Sequence, residues 1–174
     1  MYQLQSETYH YTLTDSPLGR LLLAATQRGI CALSLGDADA PLEAFLSAEY
    51  PAAARRRDDA RLRPWVEQVV RHVQGRQPDL DLPLDVPATP FQTRVWQELR
   101  AIPYGRTRTY RAIAAAIGRP AAVRAVARAC TTNPVAVVVP CHRVVRSDGG
   151  LGGYRWGLGR KEALLAREQQ TAAR

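Results

Sequence analysis

At 174 residues the chain can hold one large domain or two small ones, and a hydrophobic fraction of 46% is that of an ordinary folded protein. No apolar stretch approaches the roughly 18 residues of a membrane span. MYQLQSETYHYT has no basic region followed by an apolar core, so no signal peptide is expected, and three widely spaced cysteines, Cys31, Cys130 and Cys141, argue against a disulfide framework and fit a reducing cytosol. The net charge of +8 is unevenly spread: residues 1–98 hold ten arginines against thirteen acids, a net of −3, and residues 99–174 hold fourteen basic residues against three acids, a net of +11. Between Glu98 and Asp148 there are nine arginines and no acid. A half this basic predicts a polyanion-binding face, most simply for nucleic acid.

The first ninety residues read as a small α+β unit. TYHYTLT alternates in period two, DSPLGR is a turn, and LLLAAT and ICALSLG are two further strands around the turn QRG. APLEAFLSAEY and RPWVEQVVRHVQ have helical spacing, the latter with Trp65, Val69 and Val73 on one face. QPDLDLPLDVPATP carries four prolines in fourteen residues and predicts an extended connector, with room for one short strand, at the domain boundary.

In TPFQTRVWQELRAI, Thr89 can cap a helix and Pro90 suits its first position. Phe91, Val95, Trp96 and Leu99 form an apolar stripe. TRTYRAIAAAIGRPAAVRAVARACTTN then gives two short helical patterns broken at Gly118-Arg119-Pro120. Ile113 and Ile117 share one face of the first; Val123, Val126, Ala127 and Cys130 share one face of the second. A helix, a glycine-containing turn and a second helix make a helix-turn-helix pattern, in which Arg124 and Arg128, one turn apart, face away from the valines.

PCHRV, residues 140–144, follows the apolar run Val135–Val139. Cys141 can be a buried small hydrophobe, a metal ligand or a nucleophile. The other histidines and cysteines lack ligand spacing, so no metal is expected. On an extended chain the side chains of Cys141 and His142 point to opposite sides, so activation of the thiol calls for a bridging water rather than a direct pair, and a third group to orient the imidazole. Asp148, Glu162 and Glu168 are the carboxylates at hand. A nucleophile needs a lowered thiol pKa, which the basic surroundings could supply. The residues alone reach a reactive thiol in a basic, helix-turn-helix-like domain.

NPVAVVVPCHRVV resembles the active-site signature of the O6-alkylguanine-DNA alkyltransferases, the methylated-DNA–protein-cysteine methyltransferases. FQTRVWQELRAIPYGRTRTYRAIA, RAVARA and GGYRWGLGRKEALLARE resemble further blocks of that family in the same order, strongly over 90–170 and more loosely, through SPLGRLLLAA, in the amino-terminal half. GYRWG is most similar to the alkyltransferase domain of bacterial adaptive-response proteins, whose metal-binding regulatory module is not expected within this chain.

The resemblance implies an α+β protein: a small ribonuclease H-like α/β domain over 1–85, with an antiparallel sheet and helices, then a mostly helical domain over 86–174 with the helix-turn-helix. It implies direct-reversal DNA repair, in which the alkyl group of O6-alkylguanine, with O4-alkylthymine a second candidate, passes irreversibly to Cys141 in a single turnover after base flipping. In that scheme His142 is the water-relay histidine, Glu168 its carboxylate partner, and Asn133 the residue tying the backbone turn to the thiol. Tyr110 aids nucleotide rotation, and Arg124 fills the hole left by the flipped base. The second helix enters the minor groove, where Ala121, Ala122 and Ala125 allow close approach and Arg128 adds charge. Pro140, the Val144 carbonyl, Tyr154, Arg155 and Trp96 shape the base pocket. Ala136 stands where some relatives carry a proline that helps admit bulky adducts. The expected partner is double-stranded DNA, bound by a monomer in the bacterial cytoplasm at the nucleoid, with no cofactor and no membrane. A damage-binding relative without turnover, a helix-turn-helix regulator and a cysteine hydrolase are the competing readings. Cys141 itself, the lack of a sensor or dimerisation module, and the Cys-His adjacency argue against them in turn.

Overall fold

A computed structural model describes residues 8–173; the start of the stretch read above as lacking a leader lies outside them. The chain forms two compact units, one of Met1–Pro87 with Pro134–Ala136, the other of Ala88–Asn133 with Val137–Arg174. No helix among the described residues is long and apolar enough to cross a membrane.

The first unit is built on strands β1 (Thr8–Ser16), β2 (Gly19–Ala25), β3 (Ile30–Gly36) and β4 (Ala54–Arg57), in the order β3-β2-β1-β4. The first three are antiparallel, as the tight turns joining them require. Leu21, Leu22, Leu23, Ala24 and Ala25 of the central β2 are all fully buried, so both faces of the sheet are covered. Helix α1 (Asp39–Glu49) supplies Leu42 and Leu46 to a core with Tyr9, Leu13, Leu22 and Ala24. Helix α2 (Asp59–Val73) lies against β1 and β2 through Leu62, Val66, Val69 and Val73.

Two features depart from the sequence reading. β4 pairs parallel to β1, and its sequence Ala-Arg-Arg-Arg carries no apolar alternation because all four residues are exposed on the sheet edge. Helix α2 begins four residues before Arg63, where Asp58 accepts from the Arg61 N–H, and it holds Pro64 inside. The connector is extended, with Leu84 bridging Ile30 in parallel. Its Pro83 backbone lies 2.8 Å from where a Cβ on Gly29 would stand, so that turn requires glycine.

The second unit opens with α3 (Pro90–Arg100), capped by a reciprocal box in which Thr89 accepts from the Gln92 N–H and Gln92 Oε1 from the Thr89 N–H. Strand β5 (Arg108–Thr109) leads into α4 (Tyr110–Ala116), which Thr109 caps. Gly118, with φ +73°, turns the chain toward α5 (Val123–Thr131). Ile113, Ile117, Val126, Ala129 and Cys130 are buried between these helices, as the helix-turn-helix pattern requires. Strand β6 (Val144–Val145) pairs parallel with β5, and α6 (Leu158–Ala172) closes the unit.

Candidate active site

All the side chains below belong to the second unit. The apolar run before Cys141 does not continue as a strand. Val137 adopts φ 69°, the one non-glycine residue with positive φ among those described. For a β-branched residue this backbone is strained and persists only where the surroundings over-determine it. Asn133 does much of that. Fully buried, it donates from Nδ2 to the Val139 carbonyl at 2.9 Å and to Cys141 Sγ at 3.4 Å.

Pro140 then starts a 3₁₀ turn over Cys141–Arg143, closed by the Arg143 N–H on the Pro140 carbonyl. The extended chain assumed from sequence is therefore replaced by a turn. At three residues per turn, neighbouring side chains diverge by about 120°. The conclusion survives the correction: no hydrogen bond joins thiol and imidazole among the described residues.

His142 is fully buried, and its Nε2 lies 2.7 Å from Glu168 Oε1. The same carboxylate accepts from Arg143 Nε at 2.9 Å and Nη2 at 2.9 Å, and from the Gly105 N–H at 3.2 Å. Arg143 also donates to the Ile102 carbonyl and lies over the Tyr104 ring. Burial by itself would raise Glu168, but its bonds from His142 and Arg143 outweigh it and bring the carboxyl down to about 2. Burial lowers His142, against the pull of Glu168, so the ring is neutral near pH 7. An ionised carboxylate only accepts, so Nε2 carries the proton. Nδ1 presents a lone pair, buried and without a partner.

The thiol departs from expectation. Cys141 is 3% exposed, and burial pushes it up; the Asn133 bond and the charges of Lys161 and Arg155 draw it back only in part. The basic surroundings do not hold a resting thiolate. Around it, burial raises Tyr110 to about 12 and Tyr154 well above its usual value, so both phenols are protonated donors at neutral pH. The Tyr154 hydroxyl is buried with no partner, and its ring meets Trp156 edge-on at 5.3 Å. Gly152, at φ +71°, lets the Tyr110 ring pack on the loop: a Cβ there would lie 2.6 Å from Tyr110 Oη.

The remaining predicted residues fall in two places. Ala121, Arg124, Ala125 and Arg128 are exposed and Ala122 half-buried at the start and outer side of α5. Pro140 and Val144 are buried beside Cys141, and Arg155 is exposed on the loop before α6. Trp96 is buried in the α3 core, where its indole N–H donates to the Ala129 carbonyl at 2.9 Å. Of the three carboxylates weighed, Asp148 is exposed and paired with Arg146, and Glu162 is exposed; neither reaches His142.

Sequence reasoning passed over two buried residues, Arg143 as the second partner of Glu168 and Lys161. Lys161 donates to the carbonyls of Val144, Leu151 and Gly153. A signal was present: 161, 164, 165 and 168 are spaced i, i+3, i+4, i+7, which puts Lys161 and Glu168 on the buried face of α6 with Leu164 and Leu165.

Similarity to known proteins follows the same division. Residues 9–86 match the family model of the 6-O-methylguanine DNA methyltransferase ribonuclease-like domain, and 90–170 that of the 6-O-methylguanine DNA methyltransferase DNA binding domain. The chain is 50% identical over 164 residues to the bifunctional transcriptional activator/DNA repair enzyme Ada of Escherichia coli, covering 94% of this chain and 46% of that one. It thus spans about half the length of that curated relative. The methylated-DNA–protein-cysteine methyltransferase of Methanosarcina barkeri is 40% identical, over 93% of this chain and 98% of its own. The Mycobacterium tuberculosis OGT, solved in complex with DNA, superposes with a TM-score of 0.79 at 36% identity, over 93% and 94% of the two chains. With the two family models matching residues 9–86 and 90–170, the second of which contains Cys141, His142 and Glu168, the chain belongs to the 6-O-methylguanine DNA methyltransferase family.

Proposed function

We propose that the chain repairs O6-alkylguanine in duplex DNA, O4-alkylthymine being a candidate second substrate, by moving the alkyl group irreversibly to Cys141. The observation that carries this reading is the buried chain Asn133–Cys141 and His142–Glu168, in one unit with a helix-turn-helix whose outer face bears Arg124 and Arg128. Its relatives' names, a DNA repair enzyme and a methylated-DNA–protein-cysteine methyltransferase, support it.

The chemistry is a displacement at the alkyl carbon. The thiol proton passes through a bridging water to His142 Nδ1, and the resulting imidazolium is stabilised by Glu168. The Sγ–C bond forms as the C–O6 bond breaks, and the electron pair leaves on guanine. The Tyr110 and Tyr154 hydroxyls, both protonated at neutral pH, donate to the departing base, which ends with the proton the thiol gave up. The product is a thioether, so each molecule acts once.

The O6 substituent of a stacked base cannot reach a thiol that is 3% exposed, so the nucleotide must be flipped. The second helix of the hairpin enters the minor groove, with Ala121, Ala122 and Ala125 allowing close approach, Arg128 contacting phosphate and Arg124 filling the gap. Pro140, the Val144 carbonyl, Tyr154 and Arg155 line the base pocket, and Trp96 backs it from α3. Residues 1–85 serve as the ribonuclease H-like domain and 86–174 as the DNA-binding and alkyltransferase domain. The protein works as a monomer on nucleoid DNA in the cytoplasm.

Intact-protein mass spectrometry after mixing with a duplex carrying one O6-methylguanine tests the reading. A gain of one methylene mass on the peptide holding Cys141, absent with undamaged DNA, is expected. A bound duplex with no gain would favour a damage-binding protein and make Cys141 a packing residue.

A further inference from the structure

Twenty-three of the 24 basic residues of this chain are arginine; Lys161 is the exception. It is fully buried, and among the described residues its hydrogen-bond partners are carbonyls and none is a carboxylate. Its ammonium donates to three main-chain carbonyls, Val144 at 2.6 Å, Leu151 at 2.5 Å and Gly153 at 3.4 Å. An ammonium offers three donors from one atom, all used here. A guanidinium spreads five donors over a planar fork and cannot meet three carbonyls converging on a point. An otherwise lysine-free sequence keeps lysine where that geometry is needed.

The three carbonyls belong to two segments. Val144 directly follows the turn that presents Cys141, and Leu151 and Gly153 flank Gly152, the residue packed on Tyr110, in the loop leading to Tyr154 and Arg155. A buried cation without an anion is costly unless something compensates it. Carbonyl dipoles do so at rest, and the one anion the site can generate beside it is the Cys141 thiolate. The titratable or charged groups facing that thiol are Lys161 from α6, Arg155 from the loop, Tyr110 and Cys130 from the helical hairpin, Tyr154, and the neighbouring His142. Of these, Lys161 is the buried amine: burial pulls its pKa down, and a thiolate at Cys141 would raise it, so each group favours the charged form of the other.

We propose that Lys161 is a positioning residue for the reaction, locking the thiol turn to the substrate loop through three carbonyls and supplying the counter-charge when Cys141 ionises. This rests on the reading given under Proposed function. Geometry and charge separate in two variants. Lys161→Met removes both, and the midpoint of the rising limb in the pH profile of single-turnover repair moves up by about one unit, as expected for loss of a nearby cation. Lys161→Arg keeps the charge but not the three-carbonyl fit, and the midpoint stays while the plateau rate falls about tenfold, the equivalent of about 1.4 kcal/mol.

Two results would overturn the proposal: a folded Met variant whose profile coincides with that of the parent, or an Arg variant at full rate. The parent protein provides a test that no folding defect can blunt. With lysine labelled at Nζ, it gives one nitrogen signal. An ammonium at pH 7 is expected, and a neutral amine there would remove the counter-charge and sink the idea. A parent protein that gains no alkyl mass from any duplex would refute the functional reading instead, and the Nζ signal would still decide the charge on Lys161.

Discussion

Replacing Glu168 by glutamine should expose how much of the second unit's stability rests on one carboxylate. Glu168 is 2% exposed and accepts from His142, Arg143 and the Gly105 N–H. Its carboxyl sits at about 2 in the folded protein against an ordinary 4.5. At about 1.36 kcal/mol per unit, that difference is worth about 3 kcal/mol at neutral pH. An independent argument agrees: removing one partner of a buried pair leaves an uncompensated charge, here Arg143, at about 3–5 kcal/mol. The pH dependence follows from the direction of the shift. A depressed carboxyl contributes its full stability above its unfolded value and loses it as pH falls through the folded one. Urea unfolding of the parent and of Glu168→Gln should differ by about 3 kcal/mol at pH 6–7. The gap should close between about pH 4.5 and 2, where the parent carboxyl becomes as neutral as the amide. A gap under about 1 kcal/mol at pH 7, or one that persists unchanged to pH 2, would refute the assignment of Glu168 as the paired, ionised centre of this network.

Other substitutions test other parts of the molecule. Cys141→Ala should abolish the mass gain while leaving binding to the damaged duplex within a fewfold; loss of both would mean that the thiol holds the fold. Arg124 is exposed and makes no hydrogen bond among the described residues, so Arg124→Ala should slow repair in duplex DNA more than reaction with free O6-benzylguanine. Equal slowing of the two would remove it from base flipping. Gly152→Ala puts a Cβ 2.6 Å from Tyr110 Oη at a φ of +71°, so the loop must shift. A loss of about 1–3 kcal/mol with slower repair is expected, and a variant with parental melting and rate would show that the contact is not maintained.

Much of the fold was legible because its elements carry their own signals. β1 alternates, β2 and β3 are short apolar runs set off by turns at Pro17-Leu18 and Arg28-Gly29, and α3 announces its start with Thr89, Pro90 and Gln92. What failed to show was structure set by partners rather than by local pattern. β4 is a strand because β1 offers an open edge; nothing in Ala-Arg-Arg-Arg is buried to leave a mark. Helix α2 passes Pro64 because Asp58 caps it earlier and its apolar face, from Leu62 to Val73, outweighs one lost backbone bond. The run Val135–Val139 is apolar because it is buried, yet it turns through a left-handed valine that no propensity would allow, held by the side chain of Asn133, four residues before that valine.

The candidate site divides along the same line. Adjacency of Cys141 and His142 excluded a direct pair under either backbone, whereas Glu168 was separated from Glu162 by the resemblance, and the buried face of α6 agrees. Electrostatics was not legible, because the sign of the thiol's shift depends on burial, which composition does not carry. Counting arginines predicts a thiolate; the buried pocket keeps a thiol. For the proposed reaction this is the more useful state. A molecule that acts once is lost to any electrophile that reaches a standing thiolate, whereas a neutral buried thiol is unreactive until its proton is taken. The machinery for taking it is in place beforehand: Glu168 is already ionised, His142 is neutral with its free lone pair inside the protein, and Lys161 stands ready as a cation. Their desolvation is met when the protein folds, so deprotonation in the closed complex needs little reorganisation, and reactivity is tied to the arrival of the base instead of being held permanently.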